Sequence, residues 1–353
     1  MKIREKYIKR CIQLAQNGLG TTYPNPLVGS VLTYENRIIG EGWHRKAGEP
    51  HAEVNAIKSV KDQSLLKKAT IYVSLEPCSH YGKTPPCSDL IIASGIKKVV
   101  IGIVDPFAKV KGRGIKKLLD AGCEVSVGIL EDQCRELNKR FFTFHEKKRP
   151  YIILKWALTE NNFIAPSSKE ARAPVWITNN YSRQIAHKWR SEEQAILVGT
   201  NTAVADNPKL NTRLWEGSNP VRILLDQSLR TPLDSALLDR SVKTIVITSQ
   251  TSIDSFTQDD AEKNELILET IDFDKEIASQ IAEVLYTHEL QSVIIEGGGR
   301  TLQTFIDAGL WDEARIFTGE TLFPEGVKAP DIKGKLAREQ NLGSDKLKIY
   351  IND

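Results

Sequence analysis

Cysteine is scarce in this chain and is confined to its first part. The five cysteines, at positions 11, 78, 87, 123 and 134, are an odd number in a chain of 353 residues. Small secreted domains that depend on disulfides carry denser, even-numbered cysteine frameworks. A disulfide scaffold is therefore not expected, and Cys11, Cys123 and Cys134 are predicted to be core residues.

Long apolar runs are also missing. No segment approaches the roughly 18 uninterrupted apolar residues of a membrane span. The N-terminal sequence MKIREKYIKRCIQLAQ mixes charged and apolar residues with helical spacing, which differs from a secretory signal. We therefore expect a cytoplasmic protein that does not bind a membrane.

Neither sign of charge is in surplus. The chain has 48 basic and 45 acidic side chains, and this balance gives no reason to expect a nucleic-acid partner. Hydrophobic residues make up 41% and charged residues 26%, as in a soluble globular protein. The length exceeds what one hydrophobic core usually supports, so two domains are predicted.

One stretch, residues 51–87, contains the residue types of a catalytic zinc site. It supplies one imidazole and two thiols, which are His51, Cys78 and Cys87. Three such ligands leave a fourth tetrahedral position open for water, as catalytic rather than structural zinc sites do. Two cysteines close after a strand in a chain without disulfides are more often metal ligands than free thiols. We therefore predict a catalytic Zn²⁺ site.

Glu53 is predicted to transfer protons at this site. Residues two apart on a helix point in different directions, so His51 and Glu53 should not both bind one ion. His-x-Glu followed by Pro-Cys-x-x-Cys is the signature of zinc nucleobase deaminases, whose glutamate is an acid/base and not a ligand. Pro77 is predicted to open a second helix, whose N-terminus would hold Cys78 as a thiolate.

Strand and helix patterns alternate through the rest of the first half, which favours an α/β fold. They predict a strand, a helix, a strand and a helix in KKVVIGIVDP, GRGIKKLLDAG, CEVSVGIL and EDQCRELNKRFFTF. The polar run HEKKRP then ends in proline. It is predicted as the boundary between a first domain, residues 1–145, and a second domain, residues 146–353.

The second half has the same α/β character. Strands are predicted in YIILKWAL, VRILLDQS, KTIVITSQ, ELILET, SVIIEGGG, ARIFTG and KLKIYI, and helices in DKEIASQIAEVLYTHE and RTLQTFIDAGL. FIA is predicted to continue the YIILKWAL strand. VWIT is predicted as a strand end before a helix capped by Thr178 or Asn179.

A glycine turn is the most informative feature of this half. A strand runs into Gly297, Gly298 and Gly299, and a helix follows. This arrangement places bare backbone amides and a helix N-terminus where a phosphate can bind. Three glycines can also be only a tight turn, and the GxGxxG fingerprint of Rossmann domains is not present.

Three motifs of the first half, TTYPNPLVGSVL, GEGWH and PCSHYGKTPPC, resemble those of the RibD family, the bifunctional deaminase-reductases of riboflavin biosynthesis. The resemblance extends over essentially the whole chain. It implies a cytidine-deaminase-like α/β/α sandwich followed by a dihydrofolate-reductase-like α/β domain. It also implies zinc-dependent deamination of 2,5-diamino-6-(5-phosphoribosylamino)pyrimidin-4(3H)-one. NADPH would then reduce the ribosyl group of the product to give 5-amino-6-(5-phosphoribitylamino)uracil.

The resemblance further implies binding residues for each small-molecule ligand. Those for the pyrimidine or phosphoribosyl group of the deaminase substrate are Asn25, His44, His80 and Lys83. Those for NADPH are Leu158, Trp176, Thr202, Asp206, Gly298, Gly299, Arg300, Thr301, Leu302, Gln303 and Thr304. Those for the reductase substrate are Arg190, Leu210, Arg213 and Glu296. The loop SHYGKTPP between the two predicted cysteine ligands is predicted to select the deaminase substrate.

Two segments depart from the family pattern. Phe107 and Ala108 replace the Asn-Pro of a DPNPxVxGxG loop. The family turn Ser-x-Asp-Gly reads Thr-Glu-Asn-Asn at residues 159–162. Asparagine can adopt the positive φ that glycine provides, so the turn should form.

Two other interpretations remain open from the sequence alone. A nucleic-acid or nucleoside deaminase with an accessory domain would carry clustered basic and aromatic residues beside the zinc pocket. A binding module with structural zinc would require a fourth protein ligand. The oligomeric state is also open, and a homo-oligomer is compatible with the sequence.

Overall fold

The structure is a computed structural model that describes residues 3–79, 81, 85–107, 110–169, 171–253 and 266–352. The chain forms two compact units, Met1–Lys148 and Arg149–Asp353. Among the described residues, no helix is both long and apolar enough to cross a membrane.

The first unit is built on a five-stranded sheet. Its strands are β1 (Gly29–Tyr34), β2 (Arg37–Trp43), β3 (Thr70–Leu75), β4 (Lys98–Ile103) and β5 (Glu124–Val127). Its α-helices are α1 (Ile3–Ala15), α2 (Ala52–Ser59), α3 (Cys87–Ala93), α4 (Arg113–Asp120), α5 (Glu131–Leu137) and α6 (Lys139–Lys147). The strand order is β2-β1-β3-β4-β5, with β1 antiparallel to both neighbours and β3, β4 and β5 parallel.

Helices cover both faces of this sheet because adjacent strand residues point to opposite sides. Leu32 of β1 packs in one core cluster with Ile57 of α2. Its neighbour Val31 packs in another with Ile8 of α1 and Phe141 of α6. The three cysteines predicted as core residues are all buried. The predicted α/β/α sandwich is confirmed.

Two helix predictions for the first unit are wrong. The chain stays extended past β3 because the Glu76 N–H donates to the last carbonyl of β4 at 2.9 Å, and Pro77 therefore opens no helix. Helix α3 begins instead at Cys87. The segment EDQCRELNKRFFTF forms two helices that meet at Asn138. The Asn138 amide side chain bonds both the N–H and the carbonyl of Leu27, at 2.8 and 2.9 Å.

The second unit contains a nine-stranded sheet and a two-stranded one. Its strands are β6 (Tyr151–Leu158), β7 (Phe163–Pro166), β8 (Ala195–Gly199), β9 (Val221–Leu225), β10 (Thr244–Thr248), β11 (Leu266–Thr270), β12 (Ser292–Ile295), β13 (Glu313–Thr318), β14 (Gly326–Lys328), β15 (Lys335–Leu342) and β16 (Asp345–Ile351). Its α-helices are α7 (Asn180–Glu192), α8 (Thr200–Asp206), α9 (Gln250–Ile253), α10 (Ile277–Thr287) and α11 (Gly299–Asp307).

The large sheet has the order β11-β10-β9-β8-β12-β6-β13-β16-β15. Strands β11 through β13 in this order run parallel, and β16 and β15 are antiparallel additions. Ile152 packs with Ile281 of α10 on one face, and Ile153 packs with Trp189 of α7 on the other. The carboxyl ends of the parallel strands therefore share one edge, where α/β sheets bind ligands.

Several predictions for the second unit are wrong or incomplete. FIA does not continue the preceding strand, because β7 pairs with β14 in the separate two-stranded sheet. VWIT is not a strand, since the Ile177 carbonyl accepts a hydrogen bond from the Thr321 hydroxyl outside any ladder. Asn179 is the cap of α7, and its side-chain oxygen accepts from the Ser182 N–H at 3.0 Å. Asn162 adopts a φ of 66°, as predicted for the altered turn.

Candidate active sites

Three predicted zinc ligands converge in the first unit. His51 precedes α2, Cys78 follows β3, and Cys87 is the first residue of α3. Their donor atoms lie within 4.8 Å of one another. His51 Nδ1 is 3.6 Å from Cys78 Sγ and 3.4 Å from Cys87 Sγ. One imidazole and two thiols at this spacing fit Zn²⁺, and the described part of the chain adds no fourth metal donor to the cluster.

The local hydrogen bonds favour a thiolate at Cys78. The hydrogen bond with the Cys87 thiol, together with that of His51, lowers the pKa of Cys78 to about 4 against the opposing effect of burial. The Cys87 backbone N–H, at the start of α3, also donates to Cys78 Sγ at 3.2 Å. The expected helix N-terminus thus contacts this sulfur, although it belongs to α3 and not to a helix at Pro77.

Glu53 lies in the first turn of α2 and is almost fully buried. Burial raises the pKa of its carboxyl group, and the negative charge of Cys78 adds to the effect. A raised pKa suits a carboxyl group that has to take and return a proton during a reaction. Among the described residues, the cluster of metal donors includes His51 and the two cysteines but not Glu53.

Asn25 and His44 lie together beside this cluster. The His44 ring centroid is 5.2 Å from that of His51, and His44 Nδ1 is 3.3 Å from the Pro50 carbonyl oxygen. Because a carbonyl only accepts, Nδ1 carries the proton, and Nε2 accepts from the Asn25 amide nitrogen at 3.0 Å. Burial also lowers the pKa of His44. The predicted residues His80 and Lys83 lie outside the described residues.

The sequence interpretation missed the role of Glu76. This buried carboxylate accepts backbone hydrogen bonds at 2.9–3.3 Å from Asp105, Gly112, Gly114 and Ile115. It thereby attaches the loop before α4 to the strand that leads to the cysteine ligand. A charged residue directly after an apolar strand was the available signal, but its partners lie far along the chain.

The second unit has a cleft of about 1140 Å³ at the carboxyl ends of its parallel strands. Helix α11 begins at its wall after the glycine turn, and the Gly298 N–H donates to Thr202 Oγ1 at 2.8 Å. A Cβ added to Gly199 would lie 2.4 Å from Thr301 Oγ1, so backbone forms this part of the wall. Its size and the exposed helix N-terminus fit a dinucleotide phosphate.

Most residues predicted to bind NADPH line this cleft. They are Thr202, Asp206, Gly298, Gly299, Arg300, Thr301 and Thr304. Leu302 instead points into the core, and Gln303 bonds the Asp307 carboxylate at 2.6 Å. Leu158 is partly buried against the core, and Trp176 is half exposed with the Arg183 guanidinium over its ring. The cleft wall as described does not include these four side chains.

Two of the residues predicted to bind the reductase substrate, Arg190 and Glu296, form a charged cluster with Lys155. Arg190 bonds Glu296 through Nη2 at 2.7 Å and Nε at 3.4 Å, and Lys155 Nζ is 3.8 Å from the same carboxylate. Burial opposes ionisation of Glu296, but the charges of Arg190 and Lys155 prevail and hold its pKa at about 2. Leu210, three residues before Arg213, is buried in the core and adopts a φ of 48°.

His187, which the sequence interpretation did not single out, supports this cluster. The Arg213 N–H donates to His187 Nδ1 at 3.2 Å. Burial and the charges of Arg190 and Arg213 lower the pKa of His187 to about 4. His187 therefore accepts this hydrogen bond as a neutral ring at neutral pH.

We expect His187 to make the stability of the chain depend on pH. An unfolded histidine takes up a proton near pH 6.5, whereas His187 in the folded chain does so near pH 4. Its stabilising contribution is therefore complete above pH 6.5 and is lost as the pH falls toward 4. Urea unfolding from pH 4 to 8 should show a steeper acid loss for the wild type than for His187→Gln, which keeps an acceptor. Equal slopes would contradict this assignment.

The departure from the family turn also has a structural consequence. Asn161 Oδ1 accepts from the Thr159 hydroxyl at 2.8 Å, and its Nδ2 donates to the Phe323 carbonyl at 2.7 Å. A carboxylate cannot make the second bond. We expect Asn161→Asp to lower the free energy of unfolding by about 1 kcal/mol, measured by urea titration. Asn162→Gly is the matched control and should cost little, because glycine accepts the φ of 66°.

Comparisons with known proteins give matches for both units of the chain. Residues 1–103 match the cytidine and deoxycytidylate deaminase zinc-binding region, and residues 150–340 match the RibD C-terminal domain. The riboflavin biosynthesis protein RibD of Aquifex aeolicus is 39% identical over 355 residues, covering 98% of this chain and 97% of that protein. RibD of Escherichia coli is 35% identical over 327 residues, covering 90% and 88%.

Solved structures give the same result over the whole chain. A diaminohydroxyphosphoribosylaminopyrimidine deaminase/5-amino-6-(5-phosphoribosylamino)uracil reductase from Thermotoga maritima matches with a TM-score of 0.87 at 35% identity, covering 99% of each chain. RibD of Acinetobacter baumannii matches with a TM-score of 0.89 at 32% identity, covering 100% and 99%. The chain belongs to the RibD family, the bifunctional riboflavin biosynthesis enzymes that join a zinc-dependent deaminase to an NADPH-dependent reductase.

Proposed function

We propose that residues 1–145 carry the deaminase activity and residues 146–353 the reductase activity. The first would convert 2,5-diamino-6-(5-phosphoribosylamino)pyrimidin-4(3H)-one to the corresponding uracil and ammonia. The second would reduce the ribosyl group of that product to give 5-amino-6-(5-phosphoribitylamino)uracil. The observation that carries the proposal is the convergence of His51, Cys78 and Cys87 beside the buried carboxyl group of Glu53.

In the deaminase, the three converging side chains would hold zinc and Glu53 would move the protons. When bound, zinc supplies Lewis acidity that lowers the pKa of water toward neutrality. Glu53 would take a proton as water adds to the ring carbon that bears the amino group. It would return that proton to the departing nitrogen, so that a C–N bond breaks, a C=O bond forms and ammonia leaves.

Substrate selection in the deaminase is assigned to Asn25, His44, His80 and Lys83. The Asn25 amide nitrogen is committed to His44 Nε2, so its Oδ1 is the atom that can accept from a pyrimidine N–H. The neutral His44 ring fixes that orientation through the Pro50 carbonyl. A lysine ammonium is suited to the substrate phosphate.

In the reductase, the cleft and the glycine turn would hold NADPH, whose nicotinamide supplies the hydride. The assigned residues are Leu158, Trp176, Thr202, Asp206, Gly298, Gly299, Arg300, Thr301, Leu302, Gln303 and Thr304. The α11 N-terminus offers backbone N–H groups to a cofactor phosphate.

The reductase substrate is assigned to Arg190, Leu210, Arg213 and Glu296. Arg190 is bonded to Glu296 and to the Asn211 carbonyl, whereas the Arg213 guanidinium bonds only the Asn211 side chain among the described residues. Arg213 is therefore the better placed of the two arginines to bind the ribose phosphate. Each site acts on a small molecule, a homo-oligomer is compatible with the assignment, and the five free cysteines accord with a cytoplasmic location.

Zinc removal tests whether the deaminase activity alone depends on the metal. Dialysis against a chelator should abolish ammonia release while leaving NADPH-dependent reduction of the deaminated substrate unchanged, because the metal donors all lie in the first unit. Stoichiometric Zn²⁺ should restore the deaminase. Ammonia release that survives complete metal removal would contradict the proposal.

A further inference from the structure

Cationic side chains line the cofactor cleft, but not all of them are available to a ligand. Those on its wall are Lys169, Arg172, Arg230 and Arg300. Lys169 forms an ion pair with Asp206. Arg172 donates to the Val204 carbonyl at 3.0 Å and to Ser235 Oγ at 2.7 Å. Lys169 and Arg172 are therefore held by protein groups.

The side chains of Arg230 and Arg300 have fewer hydrogen-bond partners among the described residues. Among the described residues, the Arg300 side chain makes no hydrogen bond or ion pair, and the only hydrogen bond of the Arg230 guanidinium goes to Asn201 Oδ1 at 3.4 Å. Both arginines are exposed on the cleft wall, so each guanidinium can bind an anionic group of a ligand. NADPH carries phosphate at two separate places, the pyrophosphate and the 2′-phosphate of its adenosine.

The strand order decides which arginine faces which phosphate. Glu296 and the glycine turn follow β12, and Lys155, which approaches Glu296, lies on β6. Arg300 follows the glycine turn after β12, whereas Arg230 follows β9. Strand β9 lies two strand spacings, or roughly 10 Å, from β12, on the side opposite to β6. A dinucleotide with its nicotinamide near Glu296 and its pyrophosphate on the turn therefore extends its adenosine over β8 and β9.

Hydrogen bonds to a buried carboxylate hold the loop at the β9 end of the cleft in place. Asp226, which is 1% exposed, accepts from the Thr231 N–H at 2.7 Å and from the Thr200 hydroxyl at 3.1 Å. The first bond closes the loop that carries Arg230, and the second attaches the start of that loop to α8. Phe273 and Ile277 line the cleft at its wall and offer apolar contact for an adenine.

We propose that Arg230 binds the 2′-phosphate of NADPH and thereby sets the preference of this enzyme for NADPH over NADH. The assignment rests on the proposed function of the cleft as the cofactor site. Asn201 orients the guanidinium, whose planar donors suit a phosphate monoester. NADH lacks this phosphate, so its affinity does not depend on Arg230.

Binding titrations without substrate test the assignment. The dissociation constants of NADPH and NADH are measured by calorimetry for the wild type, Arg230→Gln and Arg300→Gln. Arg230→Gln should weaken NADPH roughly 10–100-fold, the loss expected for a charge-assisted contact, and leave NADH within about twofold. Arg300→Gln should weaken both by similar factors. Arg338→Gln, on the exposed outer strand β15, is the control and should change neither.

The outcomes separate the assignment from the proposed function. Equal loss for both dinucleotides in Arg230→Gln, or no loss, overturns the assignment to Arg230. A selective loss of NADPH in Arg300→Gln overturns it as well, because the 2′-phosphate would then lie at α11. If the wild type binds neither dinucleotide, the proposed function of the cleft fails and the assignment fails with it.

Discussion

Replacing Glu53 by glutamine should abolish ammonia release while zinc stays bound. The amide keeps the size and the burial of the side chain but cannot take a proton from water. General acid–base groups contribute roughly 10²–10⁴-fold to rate, and both proton transfers depend on this one residue. We therefore expect a loss of about 10⁴-fold or more in kcat for the deaminase, measured as ammonia released per enzyme.

Zinc content and the second activity are the controls for this variant. Because Glu53 is not among the metal donors of the described residues, metal analysis should give as much zinc as in the wild type. Reduction of the deaminated substrate should proceed at the wild-type rate. Wild-type ammonia release by Glu53→Gln with zinc retained would refute the assigned role.

Replacing Arg190 by leucine should damage both the stability of the second unit and its reductase activity. The variant leaves the buried Glu296 carboxylate without its closest partner, and Lys155 at 3.8 Å compensates only in part. Removing one member of a buried pair costs about 3 kcal/mol. We expect a lower unfolding temperature and a large rise in the KM of the reductase substrate, with ammonia release unchanged.

A double-mutant cycle separates the charge effect from loss of packing. Glu296→Gln removes the buried charge, so the Arg190→Leu/Glu296→Gln variant should recover much of the stability lost in Arg190→Leu. Recovery of stability without recovery of reductase activity is the expected pattern. Strict additivity of the two single effects would show that the 2.7 Å contact does not couple these residues energetically.

The sequence was most informative where residues of known chemistry, such as metal donors, stand at the ends of predicted strands and helices. His51 and Cys78 stand at element boundaries that hydrophobic periodicity locates well, the start of α2 and the end of β3, whereas the start of α3 at Cys87 was not predicted. The altered turn was also predictable, since Asn162 only had to accept a positive φ. Both inferences depend on residues that are close along the chain or on a known donor set.

Predictions failed where distant contacts determine the backbone. Pro77 has the local features of a helix start, but pairing with β4 keeps that segment extended. β15 is exposed over most of its length and lacks apolar alternation, so it forms only because β16 supplies a partner. Glu76 and His187 act through hydrogen bonds to residues 26 or more positions away. No periodicity in the sequence marks such contacts.

The most direct test is the stoichiometry of the two reactions on one chain. The purified enzyme is supplied with the diaminopyrimidine phosphoribosyl substrate and NADPH, and ammonia and nicotinamide absorbance are followed together. We expect equal amounts of ammonia released and NADPH oxidised, with ammonia release continuing at the same rate when NADPH is omitted. With NADPH present, ammonia release without NADPH oxidation, or NADPH oxidation without ammonia release, would contradict the proposed sequence of deamination followed by reduction.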